Sequence, residues 1–553
     1  MKTTFISLFL IFMSTCLNAQ DRADYKYLNM SSSPFRVDES YLSKHDIVYF
    51  SPTQLEAEGF PMGNGNIGGM IWNNDNGIEL QINKNDLWSK PDKEENDLSI
   101  LKHAARLKID FGIPVFSWIH LKNFEGRLSL QKGETTYKAA TPYSTTTIRT
   151  WLAHDRNVWI LECENLPNEE LTGAEQKATV SLERLGSRSF SGWYAGRFPK
   201  DPKIGIGKTQ SLLNGNDMII EENGDGLHFA VACRIIKEPA SPVIINSHRM
   251  EQKTVKNKFT VLISVVTDRE NKAPVEAARR LLDEAETDGI EQLKADKDNW
   301  YKNFWSNAFM KLGDDYLENI YYLRRYLMAA GSQGEFPVAF NGGLWRWNRD
   351  VMNWVTPHHW NTQQQYWGLC AQNDCQLMAP YLDTYFKMIP SGETLAKEYG
   401  ASDDALLITE AHCFTGEQTG KDREDMRNNF TPASQIASLF WDYYAFTGDK
   451  DFLKSKAYVF MKKAANFYLE KLQWDAEKKE FYFLSSLYES ADISYVKNTI
   501  GDRNCIEQLF RNCIRAATLL KTDKDKIAQW KHVLNHLWKI SYEPFESCGE
   551  VIA

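Results

Sequence analysis

The chain has 553 residues, a hydrophobic fraction of 43%, a charged fraction of 25% and a formal net charge of -9. This composition is typical of a globular protein, and the length predicts two or more domains. The negative charge, with no cluster of Lys and Arg, argues against a nucleic-acid-binding surface, because neutralising phosphates requires clustered positive charge.

The first 19 residues have the form of a secretory signal peptide. Lys2 precedes an apolar run from Phe5 to Met13, and small residues end at Ala19, where we expect cleavage. Lipid attachment at Cys16 is the alternative, although the residues before it make a poor lipobox. No later segment is apolar for long enough to span a membrane. The sequence therefore predicts an exported protein, periplasmic or secreted.

Residues 20–272 are predicted to form an antiparallel β-sandwich domain. From about position 45 to 270, apolar residues alternate in short runs, for example at Val158 and Ile160, and turn sequences such as NNDNG separate the runs. Many short strands without intervening helices favour a sandwich over a parallel sheet.

Three glycines near the start of this domain, Gly63, Gly65 and Gly68, have the spacing of a dinucleotide-binding loop. Such a loop must follow a strand and open a helix. Here the glycines are followed by a strand, a turn and the alternating segment IELQIN. The spacing therefore does not predict nucleotide binding. We expect the glycines to permit a close backbone approach or a positive φ.

The pattern becomes helical near Pro274. Residues 273–296 are charged and predict a linker helix, and residues 297–553 predict roughly eight further helices with no fixed repeat. Three sets of apolar residues are each predicted to share one helix face. These sets are Tyr316, Ile320, Leu323 and Leu327; Phe460, Ala464, Tyr468 and Leu472; and Ile506, Leu509, Phe510, Cys513 and Ala517.

The nine cysteines indicate neither a disulfide framework nor a zinc site. Cys370 and Cys375, or Cys505 and Cys513, can pair only where the fold brings them together, and export permits disulfides without requiring them. We find no motif for a cofactor or a metal ion.

Three segments resemble glycoside hydrolase family 95, whose members include α-L-fucosidases. FPMGNGNIGGMIW and IELQINKNDLWSK resemble the two blocks of the family's N-terminal signature. FNGGLWRWNRDVMNWVTPHHWNTQQQYWGLC resembles the family's H-x-N-x-N-x-Q-x-x-Y-W segment, and YYAFTGDKDFLKSKAYVFMKKAANFYLEKL resembles the helices before the catalytic acid. The resemblance implies a β-sandwich, a helical linker and an (α/α)6 toroid in residues 297–553. In the family, the central cleft of this toroid cleaves a glycosidic bond with inversion.

Inversion requires a carboxylic acid that protonates the leaving oxygen and, roughly 6.5–9.5 Å away, a base that activates water. The resemblance implies Glu489 as the acid, although the Ser-Pro and Asn residues of the family motif are missing around it. Asn361 matches the second asparagine of the family's water-activating N-x-N segment, and His359 replaces the first. His359 can hydrogen-bond water or a sugar hydroxyl in either protonation state. Alternatively, Glu489 is an ordinary loop glutamate and His359 caps a helix.

Further polar and aromatic residues are candidates for substrate binding. Glu410 is the alternative acid, and the pair Glu410 and His412 is too small a ligand set for a metal site. Tryptophan rings can stack on a sugar or pack in a core. The predicted substrate-binding residues are Trp345, Trp347, Asp350, Trp354, His358, Glu410 and His412.

A complete toroid has twelve helices, more than are predicted here, and no residue matches the family's carboxylate base. We therefore expect a toroid truncated in its C-terminal part. The leading hypothesis is an exported glycosidase that acts on an α-L-fucoside or related glycan, with an oligosaccharide or polysaccharide as its partner. One alternative is a non-catalytic or degenerate glycan-binding homologue. The other is a polysaccharide lyase, for which His358, His359 and Arg349 could supply a base and a charge neutraliser.

Overall fold

The computed structural model describes residues 39–88, 101–168, 177–186, 208–224, 226–339, 342–345, 350, 359–418, 428–485, 496–540, 542–545 and 549–552. The strands of the N-terminal region are β1 (Ile47–Tyr49), β2 (Phe60–Gly63), β3 (Ile67–Asn74), β4 (Gly77–Lys84), β5 (Ala105–Asp110), β6 (Asn123–Ser129), β7 (Glu134–Ala140), β8 (Ser144–Leu152), β9 (Val158–Pro167), β10 (Thr179–Glu183), β11 (Thr209–Asn214), β12 (Asp217–Gly224), β13 (Leu227–Ile235), β14 (Val243–Asn246), β15 (Arg249–Lys253) and β16 (Lys258–Thr267).

These strands form two antiparallel sheets. One has the order β1-β6-β7-β8-β9-β16-β13-β12-β11, and the other has the order β14-β15-β10-β5-β4-β3-β2. Side chains from both sheets share one core, which includes Ile71 and Leu107 from the smaller sheet and Val231 and Ile263 from the larger. The predicted antiparallel β-sandwich is confirmed.

The helices of the structure begin with a single turn before β1, and the others follow the sandwich. They are α1 (Glu39–Leu42), α2 (Pro274–Asp288), α3 (Ile290–Ser306), α4 (Asp315–Gly331), α5 (His359–Tyr366), α6 (Ala379–Lys387), α7 (Ile389–Glu398), α8 (Pro432–Thr447), α9 (Lys450–Phe452), α10 (Tyr458–Lys471), α11 (Ile500–Leu520) and α12 (Lys524–Asn535). A π-helical stretch, Leu453–Ala457, joins α9 to α10. No helix in the described part of the chain is long and apolar enough to cross a membrane.

Six short strands lie in the helical region. They are β17 (Gln473–Asp475), β18 (Glu480–Tyr482), β19 (Leu484–Ser485), β20 (Val496–Lys497), β21 (Tyr542–Phe545) and β22 (Gly549–Ile552), and they pair as three antiparallel hairpins.

The linker is two helices rather than one. Gly289 lies between α2 and α3 with φ 88°, a conformation that glycine adopts without steric cost. Ala278 and Leu282 of α2 pack on the larger sheet, against residues such as Ala230 and Leu262. Because α2 covers that outer face, the central strands of this sheet are buried on both sides and lose the alternation expected of a half-exposed strand.

Helix α8 contacts both α5 and α11, and we call these three the inner helices. In α5 and α8, the amide of Gln363 donates to Gln435 Oε1 at 2.7 Å. In α8 and α11, the hydroxyl of Ser434 donates to the carbonyl of Cys505 at 2.9 Å. All four residues lie in the first two turns of their helices, so the N-termini of the inner helices share one end of the bundle. The first residues of these three helices therefore lie near one another.

The glycine block holds the sandwich against the first helix of the toroid. Gly65 has φ 89°, and its N–H donates to the carbonyl of Ala330 at 2.7 Å. Its own carbonyl accepts hydrogen bonds from the N–H of Gly334 at 2.9 Å and from Asn85 Nδ2 at 2.8 Å. A Cβ on Gly65 would overlap Gln333. The expectation of a close approach and a positive φ is confirmed, and β3 and β4 follow as the predicted hairpin.

The predicted apolar faces of two helices are correct, and that of α4 is wrong. The sets on α10 and α11 are buried or half-buried. In α4, however, Tyr316 is 72% and Ile320 is 45% exposed. The helix instead buries a neighbouring face that includes Tyr322, Tyr326 and Ala329. Two polar residues share this face, because Glu318 accepts a hydrogen bond from Tyr41 and Arg325 binds Asp374.

One cysteine pair forms in the structure. Cys370 and Cys375 are joined by a disulfide, whereas Cys505 and Cys513 are free thiols. The disulfide closes a short loop after α5, and Asp374 in that loop forms a buried ion pair with Arg325 at 2.7 Å. The loop is thus fixed to α4.

Candidate active site

The start of α5 is held by one glutamate. His359 Nδ1 lies 2.7 Å from Glu410 Oε2, and the N–H of Trp360 donates to Glu410 Oε1 at 2.9 Å. The N–H of His359 also donates to the carbonyl of Glu410 at 3.2 Å. A carboxylate at a helix N-terminus satisfies exposed N–H groups and interacts favourably with the helix dipole. Glu410 and His359, which the sequence analysis named separately, therefore form one unit.

This contact fixes the orientation of the imidazole ring. Because a carboxylate accepts hydrogen bonds, Nδ1 of His359 carries a hydrogen, and in the neutral ring Nε2 then keeps its lone pair. The side chain is 1% exposed, and Nε2 is buried with no hydrogen-bond partner among the described residues. A buried polar atom in this state is suited to binding a water molecule or a ligand hydroxyl.

One buried tyrosine, Tyr385, lies close to this pair. Burial, and then the negative charge of Glu410, raises the pKa of Tyr385 well above its usual value. The ring of Tyr385 contacts that of His412, with centroids 5.6 Å apart. Nδ1 of His412 donates to the carbonyl of Thr409 at 2.8 Å, so its ring is fixed within its own loop. The structure thus brings His359, Glu410 and His412 into one buried neighbourhood.

Of the other two predicted catalytic residues, the structure describes one. Asn361 is half-buried in the first turn of α5. Glu489 lies outside the described residues, in the segment between β19 and β20, and β20 ends three residues before α11 begins. Three predicted substrate-binding residues also lie outside the described part of the chain, namely Trp347, Trp354 and His358.

Asp350 lies in a buried ion pair with the sandwich. Its carboxylate receives Arg184 Nη1 at 2.8 Å and Nη2 at 2.7 Å, and His103 Nδ1 lies 3.2 Å from Oδ1. Burial acts to raise the pKa of Asp350, but the charge of Arg184 and the hydrogen bonds outweigh it and hold this pKa below its usual value. Asp350 is thus an ionised group that ties the segment before α5 to the sandwich.

Trp345 also lies where the sandwich meets the helices. Its indole N–H donates to the carbonyl of Met62 at 2.9 Å, and its ring packs against Gly331. One side of the ring lines a cavity of about 220 Å³ together with Arg324 and Val338. Its predicted role in substrate binding stays a prediction.

The sequence analysis did not identify two aromatic groups near the site. Trp360 and Trp367 of the α5 segment contact edge to face, with centroids 5.2 Å apart, and Trp367 is 44% exposed. Trp88 of the sandwich stacks on Phe414, with centroids 4.9 Å apart, and Phe414 belongs to the loop that carries Glu410. Neither contact has a local sequence signal, because each depends on the folded chain. In the part of the chain that the structure describes, no group of three His, Cys, Asp or Glu residues could hold a metal ion.

Comparisons with known proteins agree with this architecture. Residues 272–547 match the Glycosyl hydrolase family 95 catalytic domain, and residues 48–185 match a domain of unknown function, DUF5703. Over 229 residues, the chain is 25% identical to "Alpha-L-fucosidase 2" of Arabidopsis thaliana. That alignment covers 38% of this chain and 26% of the relative, so it spans about a quarter of the relative's length.

One solved structure shares the fold at low sequence identity, and a second aligns less well. A structure assigned as a kojibiose phosphorylase from the human microbiome aligns with a TM-score of 0.63 and 12% identity, over 92% of this chain and 72% of that chain. A bacterial glucoamylase complexed with acarbose aligns with a TM-score of 0.44 and 9% identity, over 89% of this chain and 70% of that chain.

The fold and the profile match define the class: a β-sandwich joined to an α/α toroid of the kind found in glycosidases. Within that class, the protein is glycoside hydrolase family 95-like, and the family's catalytic domain corresponds to its helical region.

Proposed function

We propose that this protein is an exported glycoside hydrolase that cleaves a glycosidic bond with inversion of the anomeric centre. The observation that carries the proposal is the match of residues 272–547 to a family 95 catalytic domain. The shared end at which the inner helices begin supports it, because residues at the starts of several helices can contribute to one cleft.

The proposed substrate is an α-L-fucoside or a closely related glycan. Two observations support this class: the similarity to "Alpha-L-fucosidase 2" and the family resemblance. Trp360 and Trp367 offer apolar aromatic surface of the kind on which sugar rings stack. Trp360 follows His359 in α5 and Trp367 comes directly after the helix, positions that suit contact with the sugar that is cleaved.

In the proposed mechanism, Glu489 protonates the leaving oxygen while a water molecule attacks the opposite face of the anomeric carbon. Asn361, in the first turn of α5, hydrogen-bonds this water or a sugar hydroxyl. A general acid in such a site contributes a factor of roughly 10² to 10⁴ to the rate.

Export is part of the proposal. The N-terminal 19 residues have the form of a signal peptide, and the Cys370–Cys375 disulfide is typical of proteins in oxidising compartments. Expression with a C-terminal tag, followed by fractionation and N-terminal sequencing of the mature protein, tests this step. A mature N-terminus at Gln20 in the periplasm or medium is expected, and an intact Met1 in the cytoplasm would contradict it.

The activity test compares the full chain with Glu489→Gln on 4-nitrophenyl α-L-fucoside, 4-nitrophenyl α-L-galactoside and plant oligosaccharides. We expect sugar release by the wild type and a loss in kcat of about a thousandfold, or roughly 4 kcal/mol, in the variant. Glu480→Gln, in β18, is the matched control and should retain activity. Equal rates for wild type and Glu489→Gln would exclude Glu489 as the acid. Glycan binding without any release would identify a non-catalytic glycan-binding homologue.

A further inference from the structure

His359 and Glu410 form a pair whose geometry exceeds what helix capping requires. The N–H of Trp360 at 2.9 Å from Oε1 already gives the helix start its carboxylate partner. The second oxygen, Oε2, is used to hold the imidazole at 2.7 Å. This arrangement matches the orienting carboxylate and imidazole of known acid–base sites, in which the carboxylate fixes the tautomer and stabilises the imidazolium.

The free end of the ring has no described partner. Nε2 of His359 is buried and unpartnered among the residues described, while the ring is 1% exposed. An unsatisfied buried polar atom destabilises the folded state, so the fold keeps this atom at a cost in stability unless a ligand satisfies it. A single water molecule that donates a hydrogen bond to Nε2 would satisfy this atom.

The position of His359 in the sequence links it to the activation of water. His359 is the first residue of α5, in the segment that resembles the water-activating segment of family 95, and it stands where that segment has an asparagine. An asparagine amide can position a water molecule but cannot accept its proton, whereas an imidazole can do both.

We infer that His359, oriented by Glu410, is the general base that activates the attacking water in this protein. The inference rests on the proposed function and assigns one of its roles. As the water oxygen bonds to the anomeric carbon, one water proton moves to Nε2 of His359. The bond between the anomeric carbon and the leaving oxygen breaks, and that oxygen takes its proton from the general acid. Proton exchange with solvent then restores the neutral imidazole and the protonated acid.

Azide rescue tests the inference on the full chain. The probe is 4-nitrophenyl α-L-fucoside, or the 4-nitrophenyl glycoside that the wild type cleaves fastest. Removing a general base is expected to lower kcat by at least about 100-fold in His359→Ala. Azide has no proton to lose and therefore needs no base, so added sodium azide should restore at least about a tenth of the lost rate and form a glycosyl azide of inverted configuration.

The Glu410→Gln variant tests whether the charge of Glu410, and not only its size, supports His359. Glutamine keeps the size of the side chain but loses the charge that supports the imidazolium, so kcat should fall at least about tenfold while KM stays within about twofold of the wild type. His532→Ala, at an exposed histidine of α12, is the matched control and should leave kcat unchanged. If His359→Ala does not fold, His359→Gln, whose amide still reaches Glu410, replaces it in the same assay.

The outcomes distinguish the inference from the proposed function. An active wild type whose His359 variant keeps more than about a third of its kcat, or loses it without azide rescue, overturns the inference and leaves the glycosidase proposal intact. A wild type that releases no sugar from any substrate overturns the proposed function, and the inference falls with it.

Discussion

Gly65 is subject to two constraints that can be measured separately. Its φ of 89° disfavours any side chain, and a Cβ there would also overlap Gln333. Gly215 has a φ of 60°, but a Cβ added there would have no heavy atom within 4 Å, so this position carries the first constraint alone. The two glycines therefore make a matched pair.

We predict that Gly65→Ala lowers the free energy of unfolding by about 2–4 kcal/mol, the sum of backbone strain and overpacking. Gly215→Ala should cost only about 1 kcal/mol, because strain acts there without crowding. Urea denaturation of both variants provides the measurement. Equal losses would show that the contact between the glycine block and the end of α4 contributes nothing.

A second residue-scale prediction concerns His103, in the buried network with Arg184 and Asp350. Burial, and then the charge of Arg184, lowers the pKa of His103 from 6.5 to about 4. Between pH 6.5 and 4, the unfolded chain binds a proton at this position that the folded protein does not. Stability should therefore fall as the pH decreases through this window, by up to about 3 kcal/mol.

His103→Gln cannot titrate and should lack this contribution. We expect the wild type to lose about 2 kcal/mol more than the variant when urea denaturation at pH 7 is compared with that at pH 4.5. Parallel losses in the two proteins would mean that His103 does not titrate differently on folding.

Among the structural elements, the sequence block IELQINKNDLW contacts the loop that carries Glu410. Trp88, at the end of this block, stacks on Phe414, and the guanidinium of Arg269 lies 3.7 Å from the centroid of the Trp88 ring. Arg269 also donates to the carbonyl of Trp88 at 2.9 Å. The sandwich thus helps to hold the loop that carries Glu410 and that belongs to the helical region.

A double-mutant cycle measures this support. Trp88→Leu and Phe414→Leu should show a coupling energy of about 0.5–1.5 kcal/mol in urea denaturation, the usual range for an aromatic pair. As a control, Trp88→Leu combined with Phe467→Leu in α10 should be additive within about 0.5 kcal/mol. Additive losses for the Trp88 and Phe414 pair would contradict the proposed support.

Helices and strands could be predicted from the sequence where they bury apolar residues at regular spacing. The strands, the hairpin after the glycines and the faces of α10 and α11 follow from periodicity. The face of α4 does not, because Glu318 and Arg325 are buried by partners that are distant in sequence. The break at Gly289 was also missed, since a single glycine is compatible with a helix interior.

The candidate site could be predicted only in part, for the same reason. His359 and Glu410 were identified from separate segments, but their contact joins residues 51 positions apart. Asp350 was expected to bind substrate, whereas the structure shows a buried ion pair with Arg184. A local pattern can indicate which residue types are suited to the chemistry, and only the folded chain determines their partners.

At the scale of the whole molecule, the sandwich holds the segments that carry the predicted chemistry. Three of its contacts reach the helical region around α5: Gly65 to the end of α4, Arg184 to Asp350, and Trp88 to Phe414. We therefore expect catalysis to depend on the sandwich even though no predicted catalytic residue lies in it.

The central claim is that this chain is an inverting glycosidase, and the most direct test is the anomeric configuration of the first product. Proton NMR would follow the cleavage of an α-L-fucoside by the full chain, recorded before mutarotation equilibrates the released sugar. We predict that the enzyme releases the β-anomer of the sugar first and that the α-anomer appears later by mutarotation. Initial release of the α-anomer would show retention and contradict the mechanism, and no release from the glycoside panel would contradict the proposed activity.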